Sequence, residues 1–157
     1  CDRRVGENLL EGAKLAQIST LVDNGIPVMG HVGFTPQTVH ALSGFKVQGR
    51  SDEDALRITK ECLDIEEAGA FAIVLEMVPA ALANSISEKL RIPTIGIGAG
   101  SGCDAQILVW QDFAGLSAKT PSFAKSYLSL RQQLSQAASA YRNDVIAGDF
   151  PSSEQSF

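Results

Sequence analysis

Ala70-Phe-Ala-Ile-Val-Leu-Glu76, running on into Met77, Val78 and Pro79, is the stretch on which the fold turns. It is apolar up to its closing carboxylate, too short for an ordinary helix, and bounded by Gly69 and Pro79. Such a run reads as a buried strand. Polar and apolar residues do not alternate along it, so both of its faces are covered, as in a parallel sheet. Two further runs have the same character: Ile26-Pro-Val-Met-Gly-His31 and Ile92-Pro-Thr-Ile-Gly-Ile-Gly98.

Helical patterns lie between these runs. Leu15, Ile18, Leu21 and Val22 recur at helical spacing before the first, and Asn24-Gly25 supplies a stop. Ser51 followed by Asp52, Glu53 and Asp54 predicts a capped helix start with acids at the positive end of its dipole. Ala55, Ile58, Cys62 and Ile65 then form an inward stripe that ends at Gly69. Pro79 opens a helix carrying Leu82, Ile86 and Leu90. Ala105 to Trp110 is apolar and of ambiguous type, and a weak strand is expected near Phe113 to Ala118. Phe123, Tyr127, Leu130, Leu134, Ala137, Tyr141 and Val145 step by three and four, which predicts a closing helix. Strand and helix alternate throughout, so the class is α/β with a parallel sheet. One long loop, Phe34 to Arg50, follows a strand, on the side of a parallel sheet where active sites sit. We expect a single domain over residues 1–157, with a polar tail at 148–157.

Composition narrows the function. The chain has 157 residues, enough for one core but short for a complete eight-stranded barrel. Its formal charge of −5 speaks against a nucleic-acid surface. No apolar run reaches the length of a membrane span, and Cys1 to Leu10 do not read as a signal peptide. Three cysteines without motif spacing suit a reduced, cytoplasmic setting. A start at Cys1 rather than Met leads us to expect a processed product or a fragment.

Among residues that carry chemistry, Glu76 is the sharpest. A carboxylate closing an apolar strand leaves water, which is costly without a purpose, and it is placed to accept or donate a proton. The plainer alternative is a capping or ion-paired glutamate. His31 also closes a strand, and a lone histidine is more often a satisfied core residue than a ligand. Gly30 and Gly33 on either side of it allow close approach and shift the balance. Gly96-Ile-Gly-Ala-Gly100 has the look of a phosphate loop but lacks the full spacing and the lysine, and a tight packing turn explains it at least as well. Lys46, Gln48 and Arg50 would suit an anion, or a solvated loop. His40 is expected to face solvent.

Together Gly30-His-Val-Gly-Phe-Thr-Pro-Gln37, Lys46-Val-Gln-Gly-Arg50, Val74-Leu-Glu-Met-Val-Pro79 and Ile95-Gly-Ile-Gly-Ala-Gly100 resemble the ketopantoate hydroxymethyltransferase family, as do Phe123-Ala-Lys125 and Glu154-Gln-Ser-Phe157. The resemblance runs from about Leu9 onward. It implies a (β/α)8 TIM barrel of the phosphoenolpyruvate/pyruvate class, of which this chain covers about the last four βα units. It implies transfer of a hydroxymethyl group from 5,10-methylenetetrahydrofolate to 3-methyl-2-oxobutanoate, giving 2-dehydropantoate for pantothenate synthesis. It also implies Mg²⁺ as the Lewis acid and a homo-oligomer. By the same resemblance Glu76 is the proton acceptor, His31 lies beside the substrate, and Glu11 takes the place of a metal-associated glutamate.

Departures accompany it. The aspartates and serine of the family's first strands have no counterpart here. Leu9 stands where a substrate-binding lysine belongs, Ala105 where glycine is usual, and Gln111 where histidine is common. Two alternatives therefore stay beside the enzyme: an inactive remnant that is only a folded or partner-binding domain, and a related barrel lyase acting on another 2-oxo acid. The Lys46 to Arg50 loop speaks against the lyase.

Overall fold

The computed structural model describes residues 8–12, 14–35 and 47–157. The chain divides into two compact units, Cys1–Ile107 and Leu108–Phe157.

The first unit is built on a five-stranded sheet, β1 (Asn8–Glu11), β2 (Val28–Gly33), β3 (Ala72–Glu76), β4 (Thr94–Ile97) and β5 (Ala105–Gln106), lying in that order and all parallel. A doubly wound sheet would reverse its order at a switch point, and this one does not. Sequence order equal to spatial order is the succession of a (β/α)8 barrel, the architecture expected from sequence.

Helices α1 (Leu15–Asp23), α2 (Asp52–Glu67) and α3 (Ala80–Lys89) link β1 to β4. Each forms for a local reason. Gly25 at φ 76° turns the chain out of α1. At the start of α2 the Asp54 N–H donates to Ser51 Oγ at 3.2 Å, and three acids occupy the first turn. Pro79 fixes the entry to α3, and Gly69 at φ 96° releases the chain from α2 into β3.

Strand periodicity sorts the side chains. Val28, Gly30 and Val32 of β2 and Ile73 and Leu75 of β3 face α2, where Ile58, Cys62 and Ile65 are buried. Burying each such aliphatic side chain contributes roughly 1.5–3 kcal/mol. Gly30 lets the helix settle close, because a Cβ there would stand 2.6 Å from Ile65 Cγ2. The intervening residues Met29, His31, Gly33, Val74 and Glu76 belong to the opposite face. At the base of β4, buried Thr94 donates its N–H and its hydroxyl to Asp104 Oδ2 at 2.8 and 2.9 Å, and its Oγ1 lies 2.6 Å from Ser87 Oγ. That network fastens α3, β4 and the approach to β5 together.

In the second unit, α4 (Trp110–Phe113) is followed by α5 (Leu130–Ala147). The strand expected at Phe113 to Ala118 is instead a helix end and turn. The Ala114 N–H bonds to Trp110 O and the Leu116 N–H to Gln111 O, each at 2.8 Å, with Gly115 at φ 68°. The closing helix begins later than its apolar spacing suggests. Phe123 and Tyr127 precede it, because the Tyr127 N–H bonds to Phe113 O at 2.8 Å and the Ser126 hydroxyl to Asp112 O at 2.8 Å. The two rings, Phe113 and Tyr127, lie 5.4 Å apart. Beyond Gly148 the chain makes a 3-10 turn, Ser153–Gln155, closed by a capping box with Ser152. Among the described residues no helix is long and apolar enough to cross a membrane.

Candidate active site

The C-terminal ends of β2 and β3 meet in register, with Gly33 level with Glu76 and His31 level with Val74. His31 and Glu76 therefore stand diagonally on one sheet face, and their side chains touch. His31 Nε2 lies 2.9 Å from Glu76 Oε2. With the carboxylate ionised, the ring nitrogen donates and the oxygen accepts. Side-chain exposures of 7% for His31 and 14% for Glu76 leave the pair with little water. A hydrogen bond in such a place is stronger than in solvent, and a carboxylate there is held in one direction.

The backbone around the pair is close-packed. Gly33 has φ 100°, and a Cβ on it would stand 2.2 Å from the Glu76 carbonyl oxygen. No other residue type fits there, and the missing side chain lets the Phe34 N–H reach that carbonyl at 2.8 Å. Phe34 itself is buried, which fixes the exit from β2. Met77, directly after Glu76, has φ 50°, a left-handed conformation that no sequence signal announced.

The far end of the loop expected to border the site is also anchored. The Gln48 N–H donates to Met77 O at 3.0 Å, and the Gly49 N–H donates to Asp54 Oδ2. Burial pushes the Asp54 carboxyl up, but the Gly49 bond and the Arg57 guanidinium outweigh it and hold it below its ordinary value. Arg50 is exposed. Lys46 and His40 lie outside the described residues. The glycines after β4 form a packing turn: a Cβ on Gly100 would stand 2.4 Å from the Ala80 Cβ. The plainer of the two sequence readings accounts for that loop.

Glu11 ends β1 level with His31, and the Gly12 N–H bonds to His31 O at 3.0 Å. The Glu11 side chain lies outside what is described. Among the described residues no group of three or more His, Cys, Asp or Glu could hold a metal ion. The arrangement is thus a buried imidazole–carboxylate pair at the ends of two adjacent parallel strands. Such a pair is chemically able to pass a proton to or from a molecule bound beside it.

Known proteins match this chain closely. The family model for ketopantoate hydroxymethyltransferase matches residues 7–153. The 3-methyl-2-oxobutanoate hydroxymethyltransferase of Acidothermus cellulolyticus is 55% identical over 148 residues, covering 93% of this chain and 54% of the relative. That of Thermobifida fusca is 50% identical over 150 residues, covering 94% and 54%. That of Frankia casuarinae is 54% identical over 151 residues, covering 94% and 51%. The chain spans about half the length of the curated relatives it matches. With a family model that covers nearly all of its length, the chain belongs to the ketopantoate hydroxymethyltransferase family.

Proposed function

We propose that this protein serves the transfer of a hydroxymethyl group from 5,10-methylenetetrahydrofolate to 3-methyl-2-oxobutanoate, giving 2-dehydropantoate, with Glu76 as the proton acceptor. The observation that carries the proposal is the His31–Glu76 contact at 2.9 Å, at the strand ends where barrel enzymes do their chemistry. C3 of the keto acid is acidified by its neighbouring carbonyl. A carboxylate held in one direction beside the substrate is positioned to take that proton. The carbanion left at C3 forms a carbon–carbon bond to the one-carbon unit, water supplies the hydroxyl, and the two C–N bonds that tie that carbon to the folate break as both nitrogens take a proton, releasing tetrahydrofolate. His31 orients the carboxylate through its N–H and lies beside the substrate.

Magnesium is the family's Lewis acid, but the described residues do not suffice to hold it, since no metal-ligating group of three converges among them. Glu11 is the metal ligand we propose, on its register with His31. None of the steps above depends on it. The setting we propose is cytoplasmic, and the assembly a homo-oligomer.

Hydrogen exchange at C3 of 3-methyl-2-oxobutanoate in D₂O tests the reading. It is followed by NMR, with Mg²⁺ present and folate absent. Exchange should be catalysed by the protein and fall on the order of 10²–10⁴-fold in Glu76→Gln, the usual worth of a general base. Exchange that is equal in the two proteins, or absent from folded wild type, overturns the proposal. The second result would return the chain to a folded domain without chemistry.

A further inference from the structure

We infer that Met77 is a positioning residue, whose left-handed backbone, rather than its side chain, holds the Glu76 carboxylate against His31. The inference rests on the reading of Glu76 as the proton acceptor.

Met77 is the non-glycine residue with positive φ among those described, at 50°. An L side chain adopts that conformation at a cost, and it persists only where the surroundings over-determine it. Three hydrogen bonds do so here. The Glu76 carbonyl accepts from the Phe34 N–H at 2.8 Å, at the exit of β2. The Met77 N–H donates to Ile97 O at 2.9 Å, at the end of β4. The Met77 carbonyl accepts from the Gln48 N–H at 3.0 Å. The single peptide group between Glu76 and Met77 is therefore pinned from both neighbouring strands, and the next carbonyl is pinned from a third segment.

Such pinning is what fixes the Cα–Cβ direction of Glu76, and with it the carboxylate. An extended Met77 would carry β3 onward and take its carbonyl away from Gln48. The turn instead drops Val78 into the core and delivers Pro79 to the start of α3. The side chain of Met77 is half-buried and does not belong to the buried core or the residues packed on it. The conformation, not the thioether, is the feature the site uses.

Substitutions that differ in their tolerance of left-handed backbone separate the two. Glycine and asparagine adopt it readily, and a β-branched residue resists it. The readout is the pair of ring-nitrogen NMR shifts of His31 in the whole chain without substrate. His31→Gln assigns the signals, and Glu76→Leu, which has no acceptor, defines the shifts of a broken pair. Met77→Gly and Met77→Asn should keep the wild-type shifts. Met77→Val should move them towards those of Glu76→Leu and lower C3 exchange about a hundredfold, the cost of a small misplacement. Wild-type shifts in Met77→Val overturn the inference. So do broken-pair shifts in Met77→Gly or Met77→Asn, and these two arms decide alone if Met77→Val does not fold. The shifts are read without catalysis, so absent exchange in the wild type overturns the catalytic reading while the shifts still judge Met77.

Discussion

Gly33 and Glu76 are level in adjacent strands, so close that a Cβ on Gly33 would stand 2.2 Å from the Glu76 carbonyl oxygen. The same Cβ would stand 2.9 Å from Val78 Cγ1. Gly33→Ala therefore suffers twice, once from a φ of 100° and once from a clash with backbone that cannot rotate away. The comparison is Gly25→Ala, where φ is 76° and nothing lies within 4 Å of the new Cβ. Gly25→Ala should cost only the left-handed penalty, roughly 1–2 kcal/mol. Gly33→Ala should cost clearly more, and should also abolish C3 exchange, because relief requires the Glu76 peptide to move. Urea unfolding of both variants checks the first part. Equal losses at the two positions would mean that β2 and β3 separate easily here.

The His31–Glu76 contact predicts an energetic coupling. Either partner removed alone leaves the other buried without it, whereas removing both leaves neither stranded. A double-mutant cycle of His31→Phe and Glu76→Leu should give a coupling of about 0.5–3 kcal/mol in unfolding free energy. Additive losses would show that the two side chains do not act as a unit.

Much of this was legible in the sequence because single-residue chemistry recorded it. The strands β2, β3 and β4 announced themselves as short apolar runs between Gly and Pro, and Ser51 with its acids marked the start of α2. Glu76 stood out because a carboxylate closing such a run is costly. What stayed hidden depends on partners distant in sequence. His31 and Glu76 are 45 residues apart, and only the strand register puts one ring nitrogen on one carboxylate oxygen. Met77 adopts a left-handed conformation without being glycine or asparagine, under pressure from Phe34, Ile97 and Gln48. Phe123 and Tyr127 continue the helical spacing of α5 but precede it, and Tyr127 bonds to and packs on Phe113 of α4, so periodicity overran the true start of the helix.

Cys62 reports on the core. Burial pushes its thiol up to about 12, with the nearby Glu61 charge adding to the effect. The thiolate is the reactive form, so at pH 8 the folded protein should protect Cys62 from iodoacetamide, whereas Cys103, which is half-buried, should be labelled before it. In rising urea, modification of Cys62 should follow the loss of helical circular dichroism. Labelling of Cys62 as fast as Cys103 in native buffer would mean that α2 opens away from the sheet on its own.

Asp104 makes the base of β4 acid-sensitive. Its carboxylate accepts the N–H and the hydroxyl of buried Thr94, and these bonds hold its pKa below the ordinary 3.8. A folded-state pKa lower than the unfolded one means that the unfolded chain binds the proton more readily. The stabilisation is thus complete above the ordinary value and fades as pH falls through it towards the lower folded value. Asp104→Ala leaves the Thr94 donors without that acceptor and should cost about 1 kcal/mol at pH 7, the lower end for buried donors because the aspartate itself is exposed. The decisive measurement is the pH dependence of that difference. Wild type and Asp104→Ala should converge in unfolding free energy below the ordinary carboxylate range and separate above it. A difference that stays constant with pH would show that the bonds to Thr94 need no charge on Asp104.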